Sequence, residues 1–252
     1  MYRIGFLGTG HIAAPMVRFL ARTGHGITVS DRNAEIAAAL AEGHGVAIAP
    51  NQEVIDRSDI VFLCLRPHLA QEVLSGLSFR AGQQIVSVMA GPSLAQLQTL
   101  CAPATDFTMT IPLGFLEQGG CPLPAYPDSD LLDRLFAPEN PVFQVPDETA
   151  LNMHFAICAM VPGLLDLMQT GAAWLAEQTG NPKQAEFYTT QLFSGFLAAM
   201  ERAPGALSQK RDGLATEGTI SLQMTDALEA GGVHRVLTDA LSAIGARLNG
   251  VD

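Results

Sequence analysis

The chain has 252 residues, of which 48% are hydrophobic and 15% charged, with a formal net charge of -11. That apolar content fills one large domain or two modest ones and excludes a disordered chain. An acidic protein whose only ammonium groups are Lys183 and Lys210 is a poor match for nucleic acid, which needs clustered basic residues.

The sequence starts on an apolar, strand-like run at Tyr2 to Leu7, without the basic start and apolar core of a leader. Pro, Gly and polar residues interrupt the other apolar runs, so no membrane association is expected and the location expected is cytoplasmic. Ile12 to Arg22 has Ile12, Met16, Phe19 and Leu20 at helical spacing, closed by Thr23-Gly24-His25-Gly26. Ile27 to Ser30 reads as a second strand, Ala34 to Glu42 as a helix, Val46 to Ala49 as a short strand, with a short helix near Glu53. Ile60 to Leu65 is the strongest candidate for a buried central strand. A helix at Leu69 to Leu77, a strand at Gln84 to Met89, a helix at Ser93 to Leu100 and a last parallel strand at Asp106 to Thr110 complete a βαβ alternation.

Prolines and glycines break every periodicity from Pro112 to Pro146, which reads as loops and short edge strands. Beyond it the pattern is helical: Glu148 to Thr179, Lys183 to Arg202, a turn at Ala203-Pro204-Gly205, Ser221 to Ala230 and Val233 to Leu248. Pro162 lies inside the first of these and is expected to kink or interrupt it. The fold class is α/β: a dinucleotide-binding domain at 1–146 and an all-α domain at 147–252. The Leu, Met, Phe and Ala residues on Pro182 to Met200 and Leu222 to Leu248 exceed what one small domain hides, so a homodimer through these helices is expected.

Gly8-Thr9-Gly10-His11-Ile12-Ala13 falls between the first strand and the first helix. There a Rossmann fold needs a tight turn, close backbone approach to a pyrophosphate and tight helix packing. Gly8, Gly10, His11 and Ile12 are therefore candidate cofactor-binding residues, the helix N-terminus supplying amide donors. Asp31 ends the second strand, where a carboxylate takes the ribose hydroxyls of NAD. Arg32, beside it, suits the extra phosphate of NADP, and both cofactors stay open. Cys64, Cys101, Cys121 and Cys158 contain no C-x-x-C pair and read as reduced, buried thiols, and no metal is expected.

The order of motifs resembles the pyrroline-5-carboxylate reductase family, which reduces a cyclic imine with a nicotinamide cofactor. The likeness is carried by Gly5-Phe6-Leu7-Gly8-Thr9-Gly10, Val61-Phe62-Leu63-Cys64-Leu65-Arg66-Pro67, Ser87-Val88-Met89-Ala90-Gly91, and Arg211-Asp212 followed by Ala227-Leu228-Glu229-Ala230-Gly231-Gly232. It also places Pro162 on the family's S-G-S-G-P proline and Pro182 on its G-L-P turn. The resemblance implies a dimer, and a nicotinamide near Leu65-Arg66-Pro67 and Met89-Ala90-Gly91. Leu65, Arg66, Pro67, Ala90 and Gly91 thereby join the cofactor candidates.

Three substrate motifs depart from that pattern. Cys158-Ala159-Met160-Val161-Pro162 replaces S-G-S-G-P, and Met109-Thr110-Ile111-Pro112-Leu113-Gly114 stands for M-P-N-T-P-A. Thr216-Glu217-Gly218-Thr219-Ile220-Ser221 replaces the T-S-P-G-G-T-T loop that resembles a carboxylate cradle, and Glu217 there repels a carboxylate. The expected substrate is a small cyclic imine or related C=N or C=O compound, reduced by an NAD(P)H-dependent oxidoreductase. Imine reduction needs only a weak proton donor, so Thr219, Ser221 or a water is a candidate, with helix capping as the plain alternative for the two hydroxyls. His154, on an apolar helix, is a candidate acid or base, or else a hydrogen-bonded structural histidine. Two other functions fit the pattern less well. One is a hydroxy-acid dehydrogenase of the 3-hydroxyisobutyrate type, which needs a lysine that Glu148 to Thr179 lacks. The other is a dinucleotide-binding protein without turnover.

Overall fold

A computed structural model describes residues 1–250. The chain divides into two compact units, Met1–Phe155 joined by the residues from Arg247 onward, and Ala156–Ala246.

The first unit is built on an eight-stranded sheet in the order β3-β2-β1-β4-β5-β6-β7-β8. Its strands are β1 (Arg3–Leu7), β2 (Gly26–Ser30), β3 (Ala47–Ala49), β4 (Ile60–Leu63), β5 (Gln84–Ser87), β6 (Asp106–Thr110), β7 (Leu123–Tyr126) and β8 (Val142–Gln144). The strands β1 to β6 run parallel, β7 is antiparallel to β6, and β8 runs parallel to β7. Helices α1 (Ala13–Arg22), α2 (Ala34–His44), α3 (Asn51–Asp56), α4 (Ala70–Leu74) and α5 (Leu94–Leu100) fill the crossovers, and a 3-10 turn covers Pro67–Leu69. All four residues of β4 are buried, as its unbroken apolar run requires of a central strand.

Stacking of Phe6 on Phe62, with ring centroids 4.7 Å apart, registers β1 against β4. Phe136 meets Phe62 edge-on at 6.3 Å. Phe136 belongs to α6 (Asp130–Phe136), a helix inside the stretch the sequence pattern assigns to loops and edge strands. The surrounding prolines mask it, yet Leu131, Leu132, Leu135 and Phe136 are spaced as one helical face, and all four are buried. Of the edge strands expected in that stretch, β8 lies at the edge of the sheet, whereas β7 is paired on both sides, with β6 and β8.

After β8, α7 (Glu148–Ile157) still packs on the first unit. The buried side chain of Asn152 donates to Leu248 O at 3.3 Å and to Asn249 Oδ1 at 3.0 Å, fastening the outgoing helix to the returning end of the chain. For that reason the compact unit runs on past residue 146, where the sequence pattern changes.

The second unit contains α8 (Met160–Thr179), α9 (Pro182–Ala199), α10 (Ala206–Leu214), α11 (Ile220–Ala230) and most of α12 (Val233–Leu248). The helical pattern from Glu148 breaks at Cys158 and Ala159. Pro162 accounts for the break, because its ring clashes with the carbonyl four residues back, which is that of Cys158. Restarting at Met160 puts the proline in the first turn, where a missing N–H costs little. Gly180, at φ +69°, closes α8, and Asn181 Oδ1 accepts the Gln184 amide to cap α9. α10 lies outside the expected helices, since ALSQKRDGL shows no apolar face. The segment Glu148–Thr179 has a mean hydropathy of 1.5 with 17% of its window buried, so by length and composition it passes as a membrane span despite the break.

Candidate active site

The turn after β1 is set by one glycine the fold requires and one it does not. Gly8 adopts φ +98°, and a Cβ there would lie 2.4 Å from the carbonyl oxygen of Cys64, so only glycine lets this turn press against β4. Gly10 has no such φ, and a Cβ on it would meet nothing within 4 Å. No neighbouring group of the protein calls for glycine there, which is what a position reserved for the close approach of a ligand looks like.

The turn is held from behind by β2. The Gly8 amide donates to Ser30 Oγ at 2.9 Å, and Thr9 Oγ1 donates to Ser30 O at 3.3 Å. Thr9 and Ser30 are both buried. The Gly8 amide is thus spent inside the fold. Among the described residues no protein acceptor outside helices and strands takes the amides of Gly10, His11 or Ile12. Helix α1 starts with no side-chain cap and no acidic residue in its first turn, leaving its positive end uncompensated. His11 is exposed, and Ile12 is exposed although apolar.

A cleft of about 500 Å³ opens over this turn at the carboxyl ends of β1, β2 and β4. Gly8, Thr9 and Gly10 form one wall, Arg32 and Asn33 a second, and Cys64, Leu65, Arg66 and Leu69 a third. This is the edge of a parallel sheet where ligands bind in doubly wound folds. Two guanidinium groups, Arg32 and Arg66, face the cleft, and no carboxylate lines it. Asp31 is exposed at the end of β2 and is not part of the lining. Asn33 caps α2 by accepting the Ile36 amide at 3.3 Å.

Pro67 is exposed at the start of the 3-10 turn, and a Cβ on Gly91 (φ +111°) would stand 4.0 Å from Pro67 Cβ. The loops after β4 and β5 therefore meet, bringing Ala90 and Gly91 beside Leu65, Arg66 and Pro67. Met89, between Ser87 and these loop residues, is buried.

Of the three candidate proton donors, Thr219 and Ser221 lie in the second unit and His154 lies on α7 in the first. Thr219 is the N-cap of α11: its Oγ1 accepts the Leu222 amide at 3.1 Å and donates to Thr216 O at 2.6 Å. Its proton is committed to that carbonyl. Ser221 is half-buried in the first turn of α11. His154 Nδ1 donates to Ala150 O at 2.8 Å, and its ring packs 5.6 Å from that of Phe143. Glu148 accepts the Leu94 amide through both oxygens, at 3.3 and 3.2 Å, and so ties α7 to the start of α5. No disulfide joins the four cysteines among the described residues. Burial pushes the Cys64 and Cys158 thiols up and that of Cys101 up to about 12, so these thiols stay protonated near neutral pH.

Sequence reasoning missed Thr9, Ser30, Asn33 and Cys64 as site residues. Thr9 and Cys64 sit within recognisable motifs, but nothing in the pattern marks Ser30, whose partner is 22 residues away.

The fold is a Rossmann-like, mostly parallel sheet followed by a helical C-terminal region. Residues 3–91 match the model of the family described as NADP oxidoreductase, coenzyme F420-dependent. A pyrroline-5-carboxylate reductase of Glycine max is 33% identical over 105 residues, 38% of this chain and 38% of that protein's own length. Over 99% of the chain and 98% of theirs, the fold is that of the reductases of Streptococcus pyogenes (TM-score 0.81, 20% identity) and Plasmodium falciparum (TM-score 0.82, 13% identity), the latter with NADP bound. An imine reductase from Pseudomonas sp. shares the fold at a TM-score of 0.61, with 21% identity over 96% of this chain and 87% of that one. The chain is thus similar in sequence to a pyrroline-5-carboxylate reductase over 105 residues, and similar in fold to such reductases over nearly its whole length.

Proposed function

We propose that the protein is an NADPH-dependent reductase of a small cyclic imine or related C=N or C=O compound. The observation that carries this reading is the cleft over the Gly8–Gly10 turn, with the open space at Gly10, the unpaired amides beyond it and no lining carboxylate.

A pyrophosphate fits the amides of Gly10, His11 and Ile12 at the bare start of α1. Arg32 and Arg66 favour the 2′-phosphorylated cofactor, because two guanidinium groups converge on the cleft while Asp31, which would favour NAD, is outside its lining. The Plasmodium relative with NADP bound is in keeping with this choice. Leu65, Arg66, Pro67, Ala90 and Gly91 hold the nicotinamide end. A reduced nicotinamide, when bound, supplies the hydride, and the protein's part is to orient the partners and deliver a proton. Ser221 or a water delivers that proton, because the Thr219 hydroxyl already donates to Thr216 O. His154 Nδ1 is held by Ala150 O of its own helix, which fixes the ring's orientation on α7. A carboxylate substrate is disfavoured by Glu217 in the altered loop, through like-charge repulsion.

Function also requires a homodimer, formed through the C-terminal helices. Leu165, Leu167, Trp174, Phe187, Tyr188 and Leu192 on α8 and α9 are each more than half exposed, beyond what an isolated unit leaves in water. A groove of about 390 Å³ runs between these two helices. A second copy of the chain covers this face, and sedimentation at micromolar concentration is expected to give twice the chain mass.

The deciding experiment is a spectrophotometric screen of NADPH and NADH oxidation against cyclic imino acids, uncharged imines and small ketones. Turnover of an imine or ketone with NADPH preferred, and little or none with pyrroline-5-carboxylate, is the expected result. Robust proline formation would overturn the substrate assignment. Tight NADPH binding without turnover anywhere in the panel would favour a non-catalytic dinucleotide-binding protein.

A further inference from the structure

The cofactor turn is not self-supporting. Gly8 is half-buried in a backbone region that an L side chain avoids, and Thr9 follows it into the interior, so two successive residues take polar partners behind the turn. One residue supplies both. Ser30 Oγ takes the Gly8 amide at 2.9 Å and Ser30 O takes the Thr9 hydroxyl at 3.3 Å. Ser30 is itself fully buried and is the last residue of β2, immediately before Asp31 and Arg32. Its register is fixed independently by pairing with Ala49 of β3.

We infer that Ser30 is the positioning residue of the cofactor site. Through the Gly8 amide it sets the attitude of the turn, so that the amides of Gly10, His11 and Ile12 are aimed together at the pyrophosphate. The inference rests on the proposed cofactor site. It adds that affinity for the pyrophosphate is governed by a hydroxyl behind the turn, which touches no part of the ligand. Ser30 acts on the part common to NADPH and NADH, whereas Arg32 acts on the part that distinguishes them. Removing the hydroxyl takes away the protein acceptor of the half-buried Gly8 amide and frees the turn to move. The loss expected of one such bond is about tenfold in affinity.

The test uses the full-length protein and titrates NADPH and NADH by fluorescence, with thermal melting in parallel. S30A is expected to raise both dissociation constants about tenfold with their ratio unchanged. T9V, which removes the second bond with almost no change of shape, is expected to move both constants the same way by about threefold. A merely structural serine would lower the melting temperature while leaving both constants unchanged well below it, and that outcome overturns the inference. Should S30A fail to fold, T9V decides: unchanged constants in T9V refute the role. Failure of the wild-type protein to bind either nucleotide is a different result, because it removes the cofactor site itself.

Discussion

In Met1–Phe155 the large side chains Ile4, Phe6, Leu7, Met16, Phe62 and Phe136 are wholly buried. In Ala156–Ala246 the buried residues are Ala156, Ala172, Ala185, Thr189, Ala206 and Gly245, all small, while Leu167, Trp174, Phe187 and Val236 remain about two-thirds exposed. The first unit closes a core from its own strands and helices. The second buries only small residues and leaves its large apolar side chains exposed, the observation on which the proposed dimer rests. The contrast also separates two kinds of requirement on residues: those the fold makes, concentrated around the sheet, and those made by something that must bind.

The strongest way to break the contrast is to charge the uncovered face. Leu165, 57% exposed, lines the groove between α8 and α9. Burying a leucine is worth about 1.5–3 kcal/mol, and a two-fold interface repeats the loss while also desolvating a new carboxylate. L165E is therefore expected to raise the dimer dissociation constant at least about a hundredfold, read by sedimentation at several concentrations. An unchanged mass would mean the face is not where copies meet.

The next comparison lies within the cofactor turn. G8A forces a Cβ to 2.4 Å from the Cys64 carbonyl oxygen at φ +98°, and is expected to cost about 2–3 kcal/mol in urea unfolding. G10A meets no neighbour and is expected to leave stability within about 0.5 kcal/mol, while weakening NADPH at least tenfold. Equal stability losses in the two variants would erase the distinction between fold-required and ligand-required glycine. Smaller again is the effect of R32A: NADPH is expected to bind about tenfold more weakly and NADH about as before, so that the preference between them is lost.

How much of this was legible in the sequence follows from where the signal lies. The central strands were readable because burial on both faces demands unbroken apolar runs such as Ile60 to Leu63. The break before α8 was readable because Pro162 carries its own steric rule. Helix α6 was obscured by flanking prolines, although its four buried residues share one face. α10 had no apolar face to read, since an exposed helix needs none. In the site, Gly8, Gly10 and Arg32 stand in a positional motif, but Ser30 reads as an ordinary strand end, because its bond to Gly8 exists only after β1 and β2 have paired. Thr219 was open between donor and cap until the direction of its hydrogen bonds was known.

The smallest effect tests how firmly the first unit holds its own edge. At the start of β1 the Tyr2 amide donates to His25 Nδ1 at 3.2 Å, with the two rings 5.5 Å apart. Burial, followed by repulsion from the N-terminal ammonium, lowers the His25 pKa below the ordinary value of 6.5. Below 6.5 the unfolded chain therefore takes up a proton more readily than the folded one, and stability falls with pH until the folded imidazole also protonates. The stability His25 contributes is fully present above 6.5. Because the ring is only partly buried, its loss is on the order of 0.5 kcal/mol, the discounted value of one hydrogen bond. Urea unfolding at pH 7.5 and 5.5 is expected to show that increment in the wild-type protein and not in H25Q, whose amide does not titrate. An equal pH dependence in both proteins would place the acid sensitivity elsewhere and leave the β1 edge held by its strand pairing alone.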